Sequence, residues 1–157
     1  MAFVNLAEFN QGLDKFGKTV ERQALLFQKK VAFMVLGAFL STDAGIRQHV
    51  GLLQLTPVLT GRAVGNYIVS SGSPSTSTSD AGYSKSGSQA GNRKAAEMRV
   101  TVQALSALGS HRFGSSIWIC NNLPYIAILN DGGTNRVAHH MLERALTNTR
   151  DALRSST

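Results

Sequence analysis

Apolar residues recur in alternating steps of three and four along the first forty positions of the chain. The members of this series are Leu6, Phe9, Leu13, Phe16, Val20, Ala24, Phe27, Val31, Met34 and Ala38. Such spacing predicts one apolar stripe on a long helix, with the lysines and arginines of the segment lying off the stripe. The helix either packs on the sheet of its own domain or contacts another subunit, because a heptad-like stripe of this length can exceed what a small domain covers.

The pattern changes around Pro57. Residues 41–55 begin with a plausible N-cap and are interrupted by glycines, which predicts a broken or second short helix. Pro57 forbids this helix from continuing, and Gly61 permits a turn. After it, Val64, Tyr67 and Val69, with Asn66, Ile68 and Ser70 between them, form a segment rich in β-formers, so we expect a strand there.

Residues 72–92 are rich in serine and glycine and carry one aromatic side chain, Tyr83. A segment with so little to bury cannot offset its own ordering entropy. It predicts either a flexible surface loop or an arm that orders only against a neighbouring subunit, with Tyr83 as its anchor. A structureless insert of this length in a compact domain is usually functional or disordered.

The second half of the chain predicts two helices with two strands between them. Residues 93–109 favour a helix that ends at a glycine, although part of this segment also alternates like a strand. Residues 117–121 and 125–129 are rich in β-formers and predict two strands, with Pro124 in the turn between them. Residues 141–153 repeat at helical spacing and predict a C-terminal helix.

With 157 residues the chain is long enough for one domain with a real core and too short to favour two. We therefore expect a single α/β (α+β) domain over residues 1–157. Its small, mostly antiparallel sheet would be packed by the long N-terminal helix, the middle helix and the C-terminal helix, with residues 72–92 as a long flexible loop. The N-terminus lacks the basic start of a secretory signal, and the longest apolar run, Val31 to Leu40, is about half of what a membrane span needs. We expect a soluble protein.

The net charge of +7 is compatible with a nucleic acid or an acidic protein surface as partner. A dedicated DNA-binding domain usually concentrates its charge on one helix or stripe, and no run of adjacent lysines or arginines stands out here. A basic nucleic-acid-binding module is therefore an alternative rather than the first hypothesis. The candidates for a face toward DNA in a channel, or toward an acidic partner, are Arg93, Lys94, Arg99 and Arg112.

The residues offer little catalytic chemistry. The lone cysteine, Cys120, excludes an intrachain disulfide and follows an apolar strand, which favours a buried structural thiol. His139 and His140 could in principle bind zinc with His49 or His111, but adjacent histidines diverge on a helix, which favours an interface or capping role. We expect no enzymatic activity, no catalytic residue, no cofactor and no metal site.

Two segments together resemble a known family. They read Thr56-Pro-Val-Leu-Thr-Gly-Arg-Ala-Val-Gly-Asn-Tyr67 and Ile119-Cys-Asn-Asn-Leu-Pro-Tyr-Ile-Ala-Ile-Leu-Asn130, followed by a glycine pair and Met141. They resemble the tail-completion or head-to-tail joining (neck) proteins of tailed phages, the minor tail protein Z type. Members typically show Thr-Pro-Val-Asp-Thr-Gly-Arg before a strand, then a Gly-Ser-Pro loop, a helix, and Asn-Asn-Leu-Pro-Tyr before an acidic, glycine-rich turn. The order matches over most of residues 20–150.

The chain also departs from this pattern. Leu59 replaces the usual acid of the first motif, and Asn130 stands where an acid is common after the second. Residues 136–140 replace a turn that bears proline and glycine, and residues 41–54 look like extra sequence before the first motif. These departures bear on the ring position and the partner contacts.

The resemblance implies a structural virion protein, a homo-oligomeric ring that connects the head connector to the tail at the head-tail junction or tail end and is assembled in the host cytoplasm. A tail terminator or tube-capping ring subunit is the nearest alternative. The implied partners are further copies of the chain, neighbouring neck, connector or tail-tube proteins, and DNA passing without sequence specificity, with no membrane and no small-molecule substrate. The residues expected at interfaces are Pro57, Arg62, Tyr83, Pro124, Tyr125, Arg136, His139 and His140.

Overall fold

The computed structural model describes residues 6–38, 49–58, 60–79, 86–134 and 137–155. Within these ranges, six helices and a two-stranded antiparallel sheet form one small mixed α/β domain, as the sequence predicts. In chain order the elements are α1 (Leu6–Leu36), α2 (Leu52–Leu55), α3 (Arg62–Gly65), β1 (Ile68–Ser71), α4 (Gln89–Gly109), β2 (Ile117–Cys120), α5 (Ile126–Asp131) and α6 (Met141–Arg154).

Helix α1 confirms the long N-terminal helix, but the predicted apolar stripe reaches the buried residues only at its last two members, Met34 and Ala38. The helix buries its last turns, around Ala32, Phe33 and Leu36. Ala32 and Leu36 lie on the other side of the helix from the stripe, given 3.6 residues per turn. After residue 31 the helix is apolar nearly all round, so its neighbours α2, β2 and α6 select the buried face.

The sheet pairs β1 with β2 in an antiparallel register that joins Ile68 to Cys120 and Ser71 to Ile117. The predicted strand over 64–70 thus begins later than expected, because α3 takes up the residues that follow Gly61. Cys120 ends β2 and is half-buried rather than buried.

The predicted strand over 125–129 is wrong, because residues Ile126–Asp131 form helix α5. A short apolar run does not distinguish a strand from a helix by its periodicity. In the fold, Ile126 and Leu129 pack against the core from one side of a helical turn, which leaves Ile128 exposed. Ile126 and Leu129 are three residues apart, so a helix places both on one face, whereas a strand would place them on opposite faces.

Helix α4 confirms the predicted middle helix and packs against β1 and α3. It begins earlier than residue 93, because the Ser88 hydroxyl accepts a hydrogen bond from the amide of Gly91 at 3.1 Å and caps the first turn. The helix therefore includes the last four residues of the predicted loop over 72–92. Its inward face is a run of small and apolar residues at helical spacing, made of Ala96, Val100, Ala104 and Leu108.

The first part of the predicted loop is fastened to the domain. Asn122 donates to the carbonyl oxygens of Ser75 and Ser77, each at 2.8 Å, and Asn66 accepts from the amide of Ser79 at 2.6 Å. Tyr83, the predicted anchor of the arm, lies outside the described residues. No helix of the described chain is long and apolar enough to cross a membrane.

Candidate interaction site

The two sequence motifs meet at one mainly apolar cleft of about 710 Å³, which we call the motif cleft. It lies between α3 and α5, with the segment before α6 closing one side. Four of the residues predicted at interfaces line it together: Pro57, Arg62, Tyr125 and His139. Its other lining residues are Thr60, Ala63, Ile128 and Leu129.

The first motif is held in shape by buried hydroxyl groups. The Thr56 hydroxyl donates to the carbonyl oxygen of Leu52 at 2.7 Å and lies 2.9 Å from the Tyr67 hydroxyl. Burial raises the pKa of Tyr67, against hydrogen bonds from Thr56 and Asn121 that lower it, so the phenol stays neutral. Gly61 has φ of +85°, a conformation that favours glycine, and it turns the chain into α3. The turn sets Pro57 and Arg62 on the cleft.

The second motif is attached to the first by an asparagine. Asn121 donates from its side chain to the carbonyl oxygen of Ala63 at 2.8 Å. Leu123 is buried beside it, which fixes the turn before Tyr125 and α5. Sequence reasoning missed Asn121 as the link between the motifs. The signal was present in the Asn-Asn-Leu-Pro run, since asparagine side chains often bond to backbone groups in turns.

Backbone hydrogen bonds hold the two histidines before α6. The amides of His139 and His140 donate to the carbonyl oxygens of Leu129 and Asn130, at 3.2 and 2.9 Å. The Asn130 side-chain oxygen accepts from the amide of Leu142 at 3.0 Å and caps α6. Asn130 stands where an acid is common in the resembled family, and here the oxygen of its side-chain amide is the acceptor that caps the helix.

The remaining predicted interface residues do not join the motif cleft. Pro124 is exposed in the turn before α5, and His140, at φ of +48°, precedes α6 without lining the cleft. Tyr83 and Arg136 lie outside the described residues. The structure therefore brings together half of the eight residues and leaves the others to separate surfaces or undescribed segments.

The four predicted basic residues do not share a surface role. Arg93 donates to the carbonyl oxygens of Leu53 and Thr56, at 2.7 and 3.0 Å, and so closes the end of α2. Arg99 donates to the carbonyl oxygen of Gly65 and to the Ser79 hydroxyl. Both guanidinium groups thus serve the fold. Lys94 and Arg112 are exposed.

Two other histidines are buried in the core, away from the motif cleft. His49 lies 3.1 Å from the Thr149 hydroxyl, and His111 lies 2.7 Å from the Ser71 hydroxyl. Burial lowers the pKa of both imidazoles, and the positive charge of Lys29 lowers that of His111 further. Across the described ranges, no group of three or more histidine, cysteine or acidic side chains is arranged to hold a metal ion.

Comparison of the chain with protein-family models, with curated proteins and with solved structures finds no match. The likeness to phage neck proteins therefore rests on the two motifs. Their residues form one continuous structural unit in the fold, joined by Asn121 and facing the motif cleft.

Proposed function

We propose that the chain is a structural subunit of a tailed-phage particle, a ring-forming neck or tail-completion protein that connects the head to the tail and catalyses no reaction. The observation that carries this proposal is the motif cleft. Three separate segments of the chain contribute Pro57 and Arg62, Tyr125, and His139 to its walls. The two motifs that carry the family resemblance thus build one surface together.

The composition of the cleft suits a protein partner. Tyrosine and arginine are enriched at protein interfaces, where an apolar ring or stem packs and a polar end stays satisfied. The walls are otherwise apolar, and Ile128 exposes nearly half of its surface there. An inserted loop of a neighbouring neck, connector or tail protein would cover these groups. The buried network behind the cleft keeps its walls rigid, which lowers the entropic cost of binding.

The position within the particle is the finer part of the proposal. A neck ring next to the head connector is the first choice, because the resemblance is to tail-completion and head-to-tail joining proteins. A tail terminator or tube-capping ring would use the same kind of cleft. Electron cryomicroscopy of intact particles separates the two positions by which ring contacts the subunit.

The test is a complementation experiment in the phage that encodes the chain. Loss of the gene should leave filled heads and tails unjoined, and the wild-type chain supplied in trans should restore joined particles. Ile128→Asp places a charge in the motif cleft and should abolish this rescue. Leu142→Asp is the matched control, since Ile128 and Leu142 are both 47% exposed and Leu142 lies in the first turn of α6, outside the cleft.

Each result decides something different about the proposal. Joined particles that form without the gene, or that contain no copy of the chain, would overturn the assignment to the neck. Equal rescue by the Ile128→Asp and Leu142→Asp variants would remove the cleft as the binding surface. Failure of both variants, with both proteins folded by circular dichroism, would assign binding to a wider surface than the cleft.

A further inference from the structure

The first half of α1 extends beyond the domain with its apolar stripe uncovered. Every residue from Leu6 to Gln23 is exposed. The stripe over this part consists of five large apolar side chains, from 72% exposed at Leu6 to 44% at Val20. We call residues 6–20 the overhang. Contiguous exposed apolar surface of this kind marks an interaction site in a soluble protein.

The same stripe continues over the body of the domain as a ridge between two clefts. Phe27 follows Val20 by two helical turns and is also exposed, and Val31 and Val35 extend the line. A cleft of about 470 Å³ separates the ridge from Leu146 and Leu153 of α6. On the other side, a cleft of about 630 Å³ separates it from Ile117 and Ile119 of β2. We call the ridge with its two clefts the platform.

We propose that the overhang of one copy of the chain lies on the platform of a second copy. This contact rests on the proposed function and names the surface through which the ring subunits would join. Each subunit then presents both halves of the contact, one at each end of the same helix. In such a contact, one surface of each copy meets a different surface of the next copy. Repetition of this contact produces a closed ring when the rotations between successive copies add up to a full turn.

The sequence of the overhang favours another helix surface as its occupant. Its apolar residues keep a strict step of three and four, which is the repeat of helices that pack side by side. The positions flanking the stripe are small or uncharged, including Asn10, Gly12, Gly17 and Thr19. Added side-chain carbons at Gly12 and Gly17 would meet nothing within 4 Å, so no contact inside the subunit requires these glycines. Close approach of a second copy gives a reason for glycine in mid-helix.

The size of the surface suits a specific contact. A fully exposed large side chain has an accessible area of roughly 150–250 Å². The exposed parts of the five stripe side chains therefore add up to an area on the order of 500 Å². A platform face of similar size brings the total to on the order of 1,000 Å², where specific interfaces begin. An amphipathic helix seated on an apolar groove is a recurrent mode of recognition.

Charge favours one direction of the contact. Asp14 and Glu21 are two turns apart and lie on one side of α1, farther from the stripe than Asn10 and Gly17. Arg150 and Arg154 line the cleft of the platform beside α6. An acidic side of the helix and a basic side of the cleft complement each other between copies.

The experiment uses the purified full-length chain and measures its mass in solution. The wild type should form a multimer of the 16.8 kDa chain. Phe16→Glu, in the overhang, should shift the mass to that of a single chain. Met98→Glu is the matched control, because Phe16 is 67% and Met98 60% exposed on the outer side of a long helix. Circular dichroism checks that both variants keep the wild-type helix content.

A second measurement fixes the contact itself. In a Cys120→Ser background, Leu13→Cys and Leu146→Cys are combined in one chain and treated with a cysteine cross-linker. Covalent products of three chains and more support both the contact and the ring. Products that stop at two chains keep the contact and overturn the ring. If the multimer persists in the Phe16→Glu variant, the proposed contact is wrong, although a ring built through another surface stays possible. If the wild-type chain stays a monomer at high concentration, the proposed contact is wrong as well.

Discussion

The hydroxyl groups of Thr56 and Tyr67 lie 2.9 Å apart in the core, eleven residues apart in the chain. Thr56 is the first residue of the first motif and Tyr67 is the last, so their hydrogen bond closes the motif into a loop. Asn121 of the second motif reaches the same unit through Ala63. The residues that mark the resemblance therefore have two roles: the polar ones shape the loop, and Pro57 and Arg62 face outward from it.

Loss of the Thr56 hydroxyl should destabilise the fold. Thr56→Val keeps the shape of the side chain but leaves the buried Tyr67 hydroxyl without this partner, which costs about 1–3 kcal/mol. Thr19→Val is the control, since the Thr19 hydroxyl also donates to the carbonyl four residues back but is exposed. That change should stay within about 0.5 kcal/mol. Urea unfolding of the monomeric protein measures the free energy of unfolding of both variants. Equal effects of the two substitutions would show that the Thr56–Tyr67 hydrogen bond adds no stability.

The alternation of apolar and polar positions was sufficient to predict α1, α4 and α6, because each is long enough for its spacing to repeat. The same spacing did not reveal which face of α1 is buried. Residues 31–38 are apolar on every side, so the contacts with α2, β2 and α6 decide. The error over 125–129 has a related cause, since five residues are too few to separate the period of a strand from that of a helix.

The motif cleft shows a different limit. The first motif predicts Pro57 and Arg62 as interface residues and the second predicts Tyr125, but neither motif indicates that these residues share a surface. Their proximity depends on the pairing of β1 with β2, which brings segments about fifty residues apart to one edge. A local pattern carries no information on such pairing. The roles of Arg93 and Arg99 were hidden for the same reason, because their acceptors are distant carbonyl groups.

Alanine at position 51 should be among the most damaging small changes. A side-chain carbon there would lie 2.3 Å from the amide nitrogen of Gly37 and 2.6 Å from its Cα atom. Both are backbone atoms where α1 ends, so relief requires the helices to move apart. Gly51→Ala should cost about 3 kcal/mol, the upper part of the usual range for overpacking.

The matched change is Gly109→Ala at the end of α4. Nothing lies within 4 Å of an added carbon at this position. Alanine is the better helix former, so this variant should gain up to about 1 kcal/mol. Thermal unfolding of both proteins gives the comparison. Similar melting temperatures for the two variants would contradict the close approach of Gly37 and Gly51.

The buried histidines make stability depend on pH. Burial lowers the pKa of His49 and His111 below the ordinary value of 6.5, so just below pH 6.5 the unfolded chain binds more protons than the folded one. The free energy of unfolding should therefore be highest above about pH 6.5 and should decrease as the pH falls toward the pKa values of the two histidines in the folded protein. Urea unfolding between pH 5 and 8 measures this slope.

Variants at one site separate titration from packing. His49→Gln should reduce the pH slope, because the titrating group is gone. Thr149→Val removes the hydroxyl that lies 3.1 Å from the His49 ring but keeps the ring buried. It should lower stability at every pH and retain the slope. A slope unchanged by His49→Gln would show that His49 does not contribute to the pH dependence.

The fastening of residues 72–79 should depend on Asn122. Its side chain holds the carbonyl oxygens of Ser75 and Ser77, and it is exposed, so Asn122→Ala should free the loop while changing global stability by less than about 1 kcal/mol. Loss of about 1 kcal/mol of local stability speeds opening roughly fivefold. Hydrogen exchange of the peptide that contains Ser79 should accelerate by that factor.

Asn148→Ala is the control, since Asn148 makes the same kind of bond to the Val50 carbonyl, at 2.7 Å, and is remote in sequence from the loop. Equal acceleration in both variants would mean that general loosening, rather than the Asn122 bonds, controls the loop; no acceleration in either would leave Asn66 and Arg99 as its effective anchors.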